Sequence, residues 1–389
     1  MRTRPGVPTP SERCVRAPRG KNGLTSHWLW LHLFGLWGLL SSRYNPNINA
    51  VCGLSGRAAI GVRMIVRCIF MMVLLACCAI GASASAQDTY PSKPVRLVVP
   101  FAVGGPSDIV ARILSARMIE SLGQQIIVDN RAGASGKIGS DSVAKAAPDG
   151  YTLVMATVST HAINPGLFKS MPYDPLKDFE AIGKIGDIPL LLSVHKDVAA
   201  QDVKSLISLV RTNPNKLHFG SPGLGSMGHL CGEAFKAQSG GLDLAHVPYR
   251  GGGPMMNDLV SGQITMVFEG TPTSLPQIQA GTIRALASGA TARTTGLPEL
   301  PTMQEHGFVG FECSAWFGLL APAKTPQVLI AKLTAALNAA LADATVLARF
   351  RDLGVVASQD TSGAKLAAFM AADLAKWAPI IKAAGIQLD

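Results

Sequence analysis

From Val95 onward, short apolar runs rich in β-branched residues alternate with longer segments of helical periodicity. The first run is Val95–Val99, and residues 108–122 follow it with their apolar side chains on one face of a helix. This order is typical of strands joined by crossover helices, so the sequence predicts an α/β fold with largely parallel sheets. Further strands are predicted at 125–129, 151–156, 190–195, 216–220, 242–247, 263–268 and 282–288, and C-terminal helices at 326–342, 344–353 and 362–384.

Two extended stretches, 192–197 and 311–320, are predicted to cross between two lobes. On this interpretation, lobe 1 comprises residues 87–194 and 311–389, and lobe 2 comprises residues 195–310. Two lobes joined by two crossings would form a hinged cleft.

The excess positive charge of the chain lies at its N-terminal end. The 389 residues include 35 basic and 25 acidic side chains, a formal net charge of +10. Residues 1–86 carry ten of the basic side chains and one acidic one, which leaves 25 basic and 24 acidic side chains in residues 87–389. Because this nearly neutral part has no basic run and few aromatic residues, nucleic acid is not expected as a partner. A hydrophobic share of 48% with 15% charged residues excludes a disordered chain.

The stretch from Met64 to Ala86 has the three parts of a secretory signal peptide. A short basic start ends at Arg67, an apolar run of about a dozen residues follows, and Ala84-Ser-Ala86 has the form of a cleavage site. The sequence therefore predicts cleavage after Ala86 and export. The apolar run is too short for a membrane span, which needs about 20 residues. A weak lipoprotein-type box ending at Cys77 is the alternative processing site.

Residues 1–63 precede this signal and are rich in Arg, Pro, Ser and Gly. We expect this extension to be untranslated or disordered, with translation beginning at Met64; a long targeting segment is the alternative. Of the seven cysteines, only Cys231 and Cys313 lie in the exported part. Two cysteines so far apart form neither a disulfide framework nor a metal site, and the sequence leaves open whether they bond to each other.

Five loops rich in glycine and hydroxyl side chains follow predicted strands, at 100–108, 130–136, 157–161, 221–229 and 249–254. In an open α/β sheet, such loops meet at the carboxyl edge, where helix N-termini present free N–H groups and partial positive charge. Turn and cap formation explains any one loop alone, but five together favour a site for a small anion. Arg131 and Arg250 lie within these loops and are candidate carboxylate contacts, although each is equally explained as a solvated charge.

Catalytic and cofactor sites have weaker support. The run Gly223-Leu-Gly-Ser-Met-Gly228 fits a dinucleotide-type fingerprint, but Asp243 begins the next predicted strand instead of ending it. Ser226, His229 and Asp258 can be combined into a triad on paper, yet no G-x-S-x-G elbow is present. The histidines show no metal-ligand spacing. We expect no cofactor, no metal and no enzymatic activity.

Four motifs resemble the signatures of the tripartite tricarboxylate transporter receptors, also called Bug proteins. They are PFAVGGPSDIVAR at 100–112, VDNRAGASG at 128–136, AKAAPDGYTL at 144–153 and HVPYRGGGP at 246–254. They occur in the order of the family, and the resemblance extends from about residue 90 to the C-terminus. It implies a periplasmic solute-binding protein of the type II fold, in which two Rossmann-like lobes close over a ligand cleft.

The resemblance also implies a function and a set of site residues. The cleft would capture a small organic carboxylate and deliver it to the small and large membrane subunits of a tripartite transporter, and we expect a monomer. In the family, the loop after the first strand helps to hold a ligand carboxylate, partly through ordered waters. Glu269 stands where aspartate is commoner and Pro106 where a small residue is usual. The residues placed at the cleft on this basis are Phe101, Gly104, Gly105, Ser107, Asp108, Thr157, Ser159, Thr160, His161, Ser221, Gly225, Ser226, His229, Tyr249, Gly251 and Glu269, to which the loop argument adds Arg131 and Arg250.

Two other functions remain alternatives at this point. A receptor that senses a ligand would present its closed form to a signalling partner, and a secreted hydrolase would use Ser226 and His229 in the same cleft. The ligand itself is not defined by the sequence, because backbone-dominated sites specify charge and length more than side-chain identity.

Overall fold

The structure is a computed structural model that describes residues 68, 69, 71, 72, 90–294, 296–383, 387 and 388. The predicted extension at 1–63 and all but four residues of the predicted signal peptide at 64–86 lie outside the described residues. The chain divides into two compact units, Met1–Gln87 and Asp88–Asp389. The sheets and the candidate site described below belong to the second unit.

The strands of the described chain form two sheets that share one long strand. The first sheet contains β1 (Val95–Val99), β2 (Ile126–Asn130), β3 (Thr152–Thr157), β9 (Ser314–Pro322) and β10 (Val356–Ala357). The second contains β5 (His218–Ser221), β6 (Ala245–Pro248), β7 (Met266–Gly270) and β8 (Ile283–Ser288). The strand β4 (Phe179–His195) belongs to both, and the order is β2-β1-β3-β9-β4-β7-β5-β6, with β8 and β10 also paired to β4.

The chain passes between the sheets at one place. Residues 179–189 of β4 pair with β9, whereas residues 190–195 pair with β7 and β8. Where the partners of β4 change from β9 to β7 and β8, the Leu190 N–H donates a hydrogen bond to the Cys313 carbonyl oxygen at 3.0 Å, and the Gly289 N–H donates one to the Leu190 carbonyl oxygen at 2.8 Å. The outgoing and returning passages are therefore hydrogen-bonded to each other. The lobe boundaries at 194/195 and 310/311 stay a prediction.

The α/β class is confirmed, but the sheets are less parallel than predicted. β1 pairs in parallel with β2 and β3, and β5 with β6 and β7, as the strand–helix order predicts. β4 pairs antiparallel with β7, β8, β9 and β10, and β9 also pairs antiparallel with β3. The stretch 311–320, predicted only as a crossing, contains most of β9, and the first half of β4 is not predicted at all.

Helices pack against both sheets. Val95, Leu97 and Val99 of β1 lie in one apolar cluster and Val98 lies in another, so the strand is buried on both faces. The three predicted C-terminal helices are confirmed and contribute to these clusters. The helices are α1 (Pro106–Leu122), α2 (Lys137–Ala144), α3 (Asn164–Leu167), α4 (Val203–Thr212), α5 (Met227–Gln238), α6 (Gly252–Val260), α7 (Thr271–Gln279), α8 (Gln327–Leu341), α9 (Ala344–Asp352) and α10 (Gly363–Ala383).

Within the described ranges, no single helix is long and apolar enough to cross a membrane. The helices α8 and α9 reach that length only as a pair, and they are bent by 67° at the break between them. Their buried residues, among them Leu333, Leu337 and Phe350, belong to the core cluster on one face of the first sheet.

A disulfide bond joins Cys231 of α5 to Cys313, which immediately precedes β9. Their Cα atoms are 5.9 Å apart, the residues are separated by 82 positions in the sequence, and both side chains are buried. The bond therefore fastens a helix of the second sheet to the point at which the chain returns to the first. It settles the pairing that the sequence left open.

Candidate ligand-binding site

The loop after β1 and the loop before α6 touch through their backbones. The Ala102 N–H donates to the Arg250 carbonyl oxygen at 3.1 Å. A Cβ atom on Gly251 would lie 2.7 Å from the Ala102 nitrogen, and one on Gly253 would overlap the Val103 carbonyl oxygen. Glycine is needed in the 249–254 loop because any side chain would separate the two loops.

A second contact joins the loop at 221–229 to two loops of the first sheet. The Met227 N–H, at the start of α5, donates to Ser159 Oγ at 3.2 Å. The Ser135 hydroxyl donates to the Leu224 carbonyl oxygen. Ser226 caps the same helix by accepting a hydrogen bond from the His229 N–H at 3.3 Å. The loops predicted at 130–136, 157–161 and 221–229 are thus brought together.

A cavity of about 70 Å³ lies between the two sheets. Its wall includes the starts of four helices: Pro106 and Ser107 of α1, Met227 of α5, Gly252 of α6, and Gly270, which precedes α7. The first N–H groups of a helix have no partner within the helix and carry partial positive charge. This arrangement suits a small anion, although Pro106 contributes no N–H, the Met227 N–H is bonded to Ser159 Oγ and the Gly270 backbone donates to Glu269.

Seven of the eighteen predicted site residues line this cavity: Phe101, Gly105, Ser107, Thr157, Ser159, Ser226 and Glu269. Sequence reasoning missed the apolar part of the wall, to which β4 contributes Ile188 and Leu190 and β9 contributes Ala315 and Phe317. These side chains have no polar signature, and only the topology of the two crossing strands could have indicated them. The remaining lining residues are Pro106, Val158, Pro222, Met227, Gly228, Gly252 and Gly270, most of them within the predicted loops.

Asp108 lies behind the wall and supports the loop that follows β1. Its carboxylate accepts hydrogen bonds from Arg112 Nε at 3.0 Å and from the Gly104 N–H at 3.0 Å. Burial raises the pKa of Asp108, but the hydrogen bonds from Arg112 and Gly104 outweigh burial and hold it below its ordinary value. Asp108 is therefore ionised at neutral pH and fixes the position of Gly104.

Replacing Asp108 with alanine is expected to lower the free energy of unfolding by about 2 kcal/mol at pH 7, because Arg112 and Gly104 lose their acceptor. The folded pKa lies below the unfolded one, so this stabilisation is present above about pH 4 and is lost as pH falls through the folded pKa. Guanidinium unfolding of both proteins at pH 7 and pH 3 measures the difference, with the exposed Asp352→Ala as control. An equally large difference at both pH values would contradict this role.

Thr160 and His161 lie in the interior behind Thr157. His161 is fully buried, its Nδ1 lies 2.8 Å from Thr160 Oγ1, and its ring packs edge-on against Phe179 with centroids 4.9 Å apart. Burial lowers the pKa of His161 to about 3, so the ring is neutral. The structure places both side chains in the support of the wall and not on its surface.

Two stacked histidines lie beneath the loop at 221–229. The His229 and His246 rings have centroids 4.2 Å apart, and His246 Nε2 lies 2.7 Å from Ser221 Oγ. His229 Nδ1 accepts a hydrogen bond from the Gly225 N–H at 3.1 Å. Burial lowers the pKa of both rings, to about 3 for His246. Ser221, Gly225 and His229 thus shape the loop, and none of them lines the cavity.

The side chains of Tyr249, Arg250 and Arg131 also lie outside the cavity wall. The Tyr249 hydroxyl donates to Asp258 Oδ2 at 2.7 Å, and burial together with this bond raises the pKa of Tyr249. Arg250 is exposed and contributes its carbonyl oxygen to the loop contact. The Arg131 guanidinium pairs with Asp129 at 2.8 Å. The binding roles of these residues stay predictions.

The triad of Ser226, His229 and Asp258 is not assembled. Ser226 acts as a helix cap, His229 Nδ1 accepts from a backbone N–H, and Asp258 is bonded to Tyr249. Among the described residues, no carboxylate is hydrogen-bonded to the His229 ring, so these three side chains do not form the triad that the hydrolase alternative would use. Asp243, the acid of the dinucleotide-type fingerprint, accepts the Asn215 N–H at 3.0 Å. In the part of the chain that the structure describes, no three His, Cys, Asp or Glu side chains are grouped as metal ligands.

Comparison with known proteins decides the family. A sequence model described as the tripartite tricarboxylate transporter family receptor matches residues 110–386. The chain belongs to this receptor family. Among its relatives are BugT of Bordetella pertussis, 36% identical over 320 residues that cover 81% of this chain and 96% of BugT, and the UPF0065 protein of the TAR-I ttuE-ttuC' intergenic region of Agrobacterium vitis, 39% identical over 318 residues that cover 81% and 91%.

Solved structures of Bug receptors and their relatives share this fold. The periplasmic binding protein BugD is 36% identical with a TM-score of 0.74, covering 77% of this chain and 99% of BugD. Rpa4515 of R. palustris, described with adipate, is 38% identical with a TM-score of 0.73 and coverages of 77% and 99%. MatC of Rhodopseudomonas palustris, described with bound malate, is 33% identical with a TM-score of 0.72 and coverages of 75% and 100%. The predicted type II binding-protein fold and the predicted family of periplasmic solute-binding receptors are confirmed.

Proposed function

We propose that this Bug-family receptor captures a small organic carboxylate in the cavity between its two sheets and delivers it to the small and large membrane subunits of a tripartite transporter. The observation that carries the proposal is the convergence of four helix starts on one cavity. Adipate and malate, described with two relatives, are both small dicarboxylates.

In the proposed cycle, the lobes open by bending at the place where β4 and the segment just before β9 pass between the sheets. A carboxylate enters, accepts hydrogen bonds from the helix starts, and the lobes close over it. Two cross-lobe hydrogen bonds, from Ala102 to Arg250 and from Met227 to Ser159, form on closure. Ligand binding is thereby coupled to a shape that a membrane partner can recognise. No covalent bond is made or broken, and the receptor acts as a monomer.

We further propose that residues 64–86 direct export and are removed after Ala86. The part that remains is nearly neutral, so its recognition of an anion relies on oriented backbone N–H groups and not on bulk charge. N-terminal sequencing of protein recovered from the periplasm tests this, with Gln87 expected as the first residue.

Isothermal titration of the exported protein with mono-, di- and tricarboxylates tests the binding function. At least one acid is expected to bind with a Kd of about 1 μM or tighter, and at a hundred times Kd it should stabilise the protein by about 2.7 kcal/mol. The uncharged amide of the same acid is the control ligand and should bind much more weakly. Absence of both binding and thermal stabilisation across the panel would contradict the proposal. If deletion of the gene abolishes uptake of the bound acid by the cells, the receptor serves transport; if uptake is unchanged, the sensing alternative is favoured.

A further inference from the structure

Glu269 is the one ionisable side chain among the described residues that line the cavity. It lies near the end of β7 and is 2% exposed. Its Oε1 atom accepts a hydrogen bond from Thr273 Oγ1 of α7 at 3.0 Å. A Cβ atom on Gly252 of α6 would overlap the same oxygen. The carboxyl group is thus held between the starts of α6 and α7, at the cavity.

No described cation is paired with Glu269. The helix α7 has no ionisable residue, and most charged groups on the other elements packed around β7 have partners of their own. These pairs are Asp108 with Arg112 and Arg117 with Glu120 on α1, Asp187 with Lys184 on β4, Glu233 with Lys236 on α5, His229 of α5 with the Gly225 N–H, Asp258 of α6 with the Tyr249 hydroxyl, and Arg284 of β8 with the carbonyl oxygens of Val198 and Ala200. The titratable residues Glu180 and His195 of β4 and His218 of β5 also lie on these elements.

Burial raises the pKa of Glu269 to about 7, while hydrogen bonds from Thr273 and from the Gly270 backbone oppose that rise. The ionised and neutral forms are therefore close in free energy at neutral pH. A bound ligand decides between them, because a cation next to the carboxyl group favours its charged form and a second carboxylate favours its neutral form.

We propose that Glu269 selects, among small carboxylates, those that also carry a protonated amine, so that the ligand is an amino acid or a related ammonium carboxylate. This inference rests on the proposed function, which places the ligand carboxylate at the helix starts. The ammonium group donates a hydrogen bond to the Glu269 carboxylate and supplies the positive charge that the cavity wall lacks. A ligand with a second carboxylate at this position has to share a proton with Glu269, because two adjacent carboxylates do not both ionise.

The two ligand classes have opposite pH dependences. An ammonium carboxylate binds best when Glu269 is ionised, so its affinity increases or stays constant between pH 6 and pH 8. A dicarboxylate binds together with one proton, so its affinity falls by up to about tenfold per pH unit above the pKa of the free receptor. The direction of the pH effect therefore identifies which group faces Glu269.

Isothermal titration of protein purified from the periplasm tests the inference with pairs of acids that differ by one amino group. The pairs are alanine and propionate, aspartate and succinate, glutamate and glutarate, and phenylalanine and 3-phenylpropionate, each at pH 6 and pH 8. The wild-type protein is expected to bind the amino member of at least one pair about tenfold or more tightly than its analogue. Glu269→Gln, which keeps the shape of the side chain, should abolish this preference, and Glu269→Asp should retain part of it. Glu312→Gln, at an exposed acid, is the matched control and should behave as the wild type.

Each outcome is decisive. Tighter binding of the amine-free member in every pair that binds, with affinity falling toward pH 8, would overturn the inference while the proposed function stands. A preference that persists in Glu269→Gln would overturn it as well. Binding of neither member of any pair, together with no binding of other carboxylates, would contradict both proposals. If Glu269→Gln fails to fold, the preference of the wild-type protein within each pair, together with its pH dependence, still tests the inference.

Discussion

Replacing Gly253 with valine is expected to weaken ligand binding about 100-fold and to leave the unfolding transition of the ligand-free protein nearly unchanged. A Cβ atom at this position would overlap the Val103 carbonyl oxygen in the loop of the first sheet. The backbone of Gly253 is not among those with positive φ, so valine is not strained by its own conformation. The clash arises only when the two loops touch, and a penalty of about 3 kcal/mol on closure corresponds to that loss of affinity.

Gly296→Val is the matched control for this experiment. Gly296 also lacks a positive φ, and a Cβ atom there would have its nearest neighbour at 3.6 Å, an ordinary contact. Titration of both variants with the tightest-binding acid, and small-angle scattering with and without that acid, measure affinity and closure. Wild-type affinity in Gly253→Val would show that the contact between the loops is not part of the binding-competent form.

Removing the disulfide with Cys231→Ala and Cys313→Ala is expected to lower the free energy of unfolding by about 2–4 kcal/mol. The bond closes a loop over a separation of 82 residues, and cross-links over long loops restrict the unfolded chain most strongly in the chain-entropy model. Guanidinium unfolding with and without a reductant measures the effect. The reductant should destabilise the wild type by a similar amount and leave the double variant unchanged. An equal effect of reductant on both proteins would contradict this assignment.

The sequence predicted the outer strands and the C-terminal helices because their pattern is local. The first half of β4 escaped prediction because glycines interrupt it: Gly183 and Gly186 stand at register shifts in the pairing with β9. A Cβ atom on Gly186 would lie 2.5 Å from the Val356 carbonyl oxygen of β10, so glycine permits this close approach of two strands. In the sequence alone, the same glycines are typical of a loop.

The sequence predicted which polar loops form the candidate site, but not which of their residues line the cavity and which support its wall. Phe101, Ser107 and Ser226 line the cavity, whereas Asp108 and His161 from the same loops point to supporting contacts. Local sequence places all of them at one sheet edge, but burial and hydrogen-bond partners depend on the whole fold. The apolar wall from β4 and β9 could not be assigned, because these side chains reach the cavity only through the pairing of the two strands where β4 passes between the sheets.

The continuous strand β4 has a mechanical consequence for the receptor. Because one strand is hydrogen-bonded into both sheets, the joint between the lobes deforms elastically and does not rotate freely. Opening has to bend or twist a hydrogen-bonded ribbon, which resists large displacements and restores the lobes to a common orientation. The receptor would therefore return to the same closed alignment after each release, and its amplitude of motion would be set by the elasticity of a β-strand and not by the length of a linker.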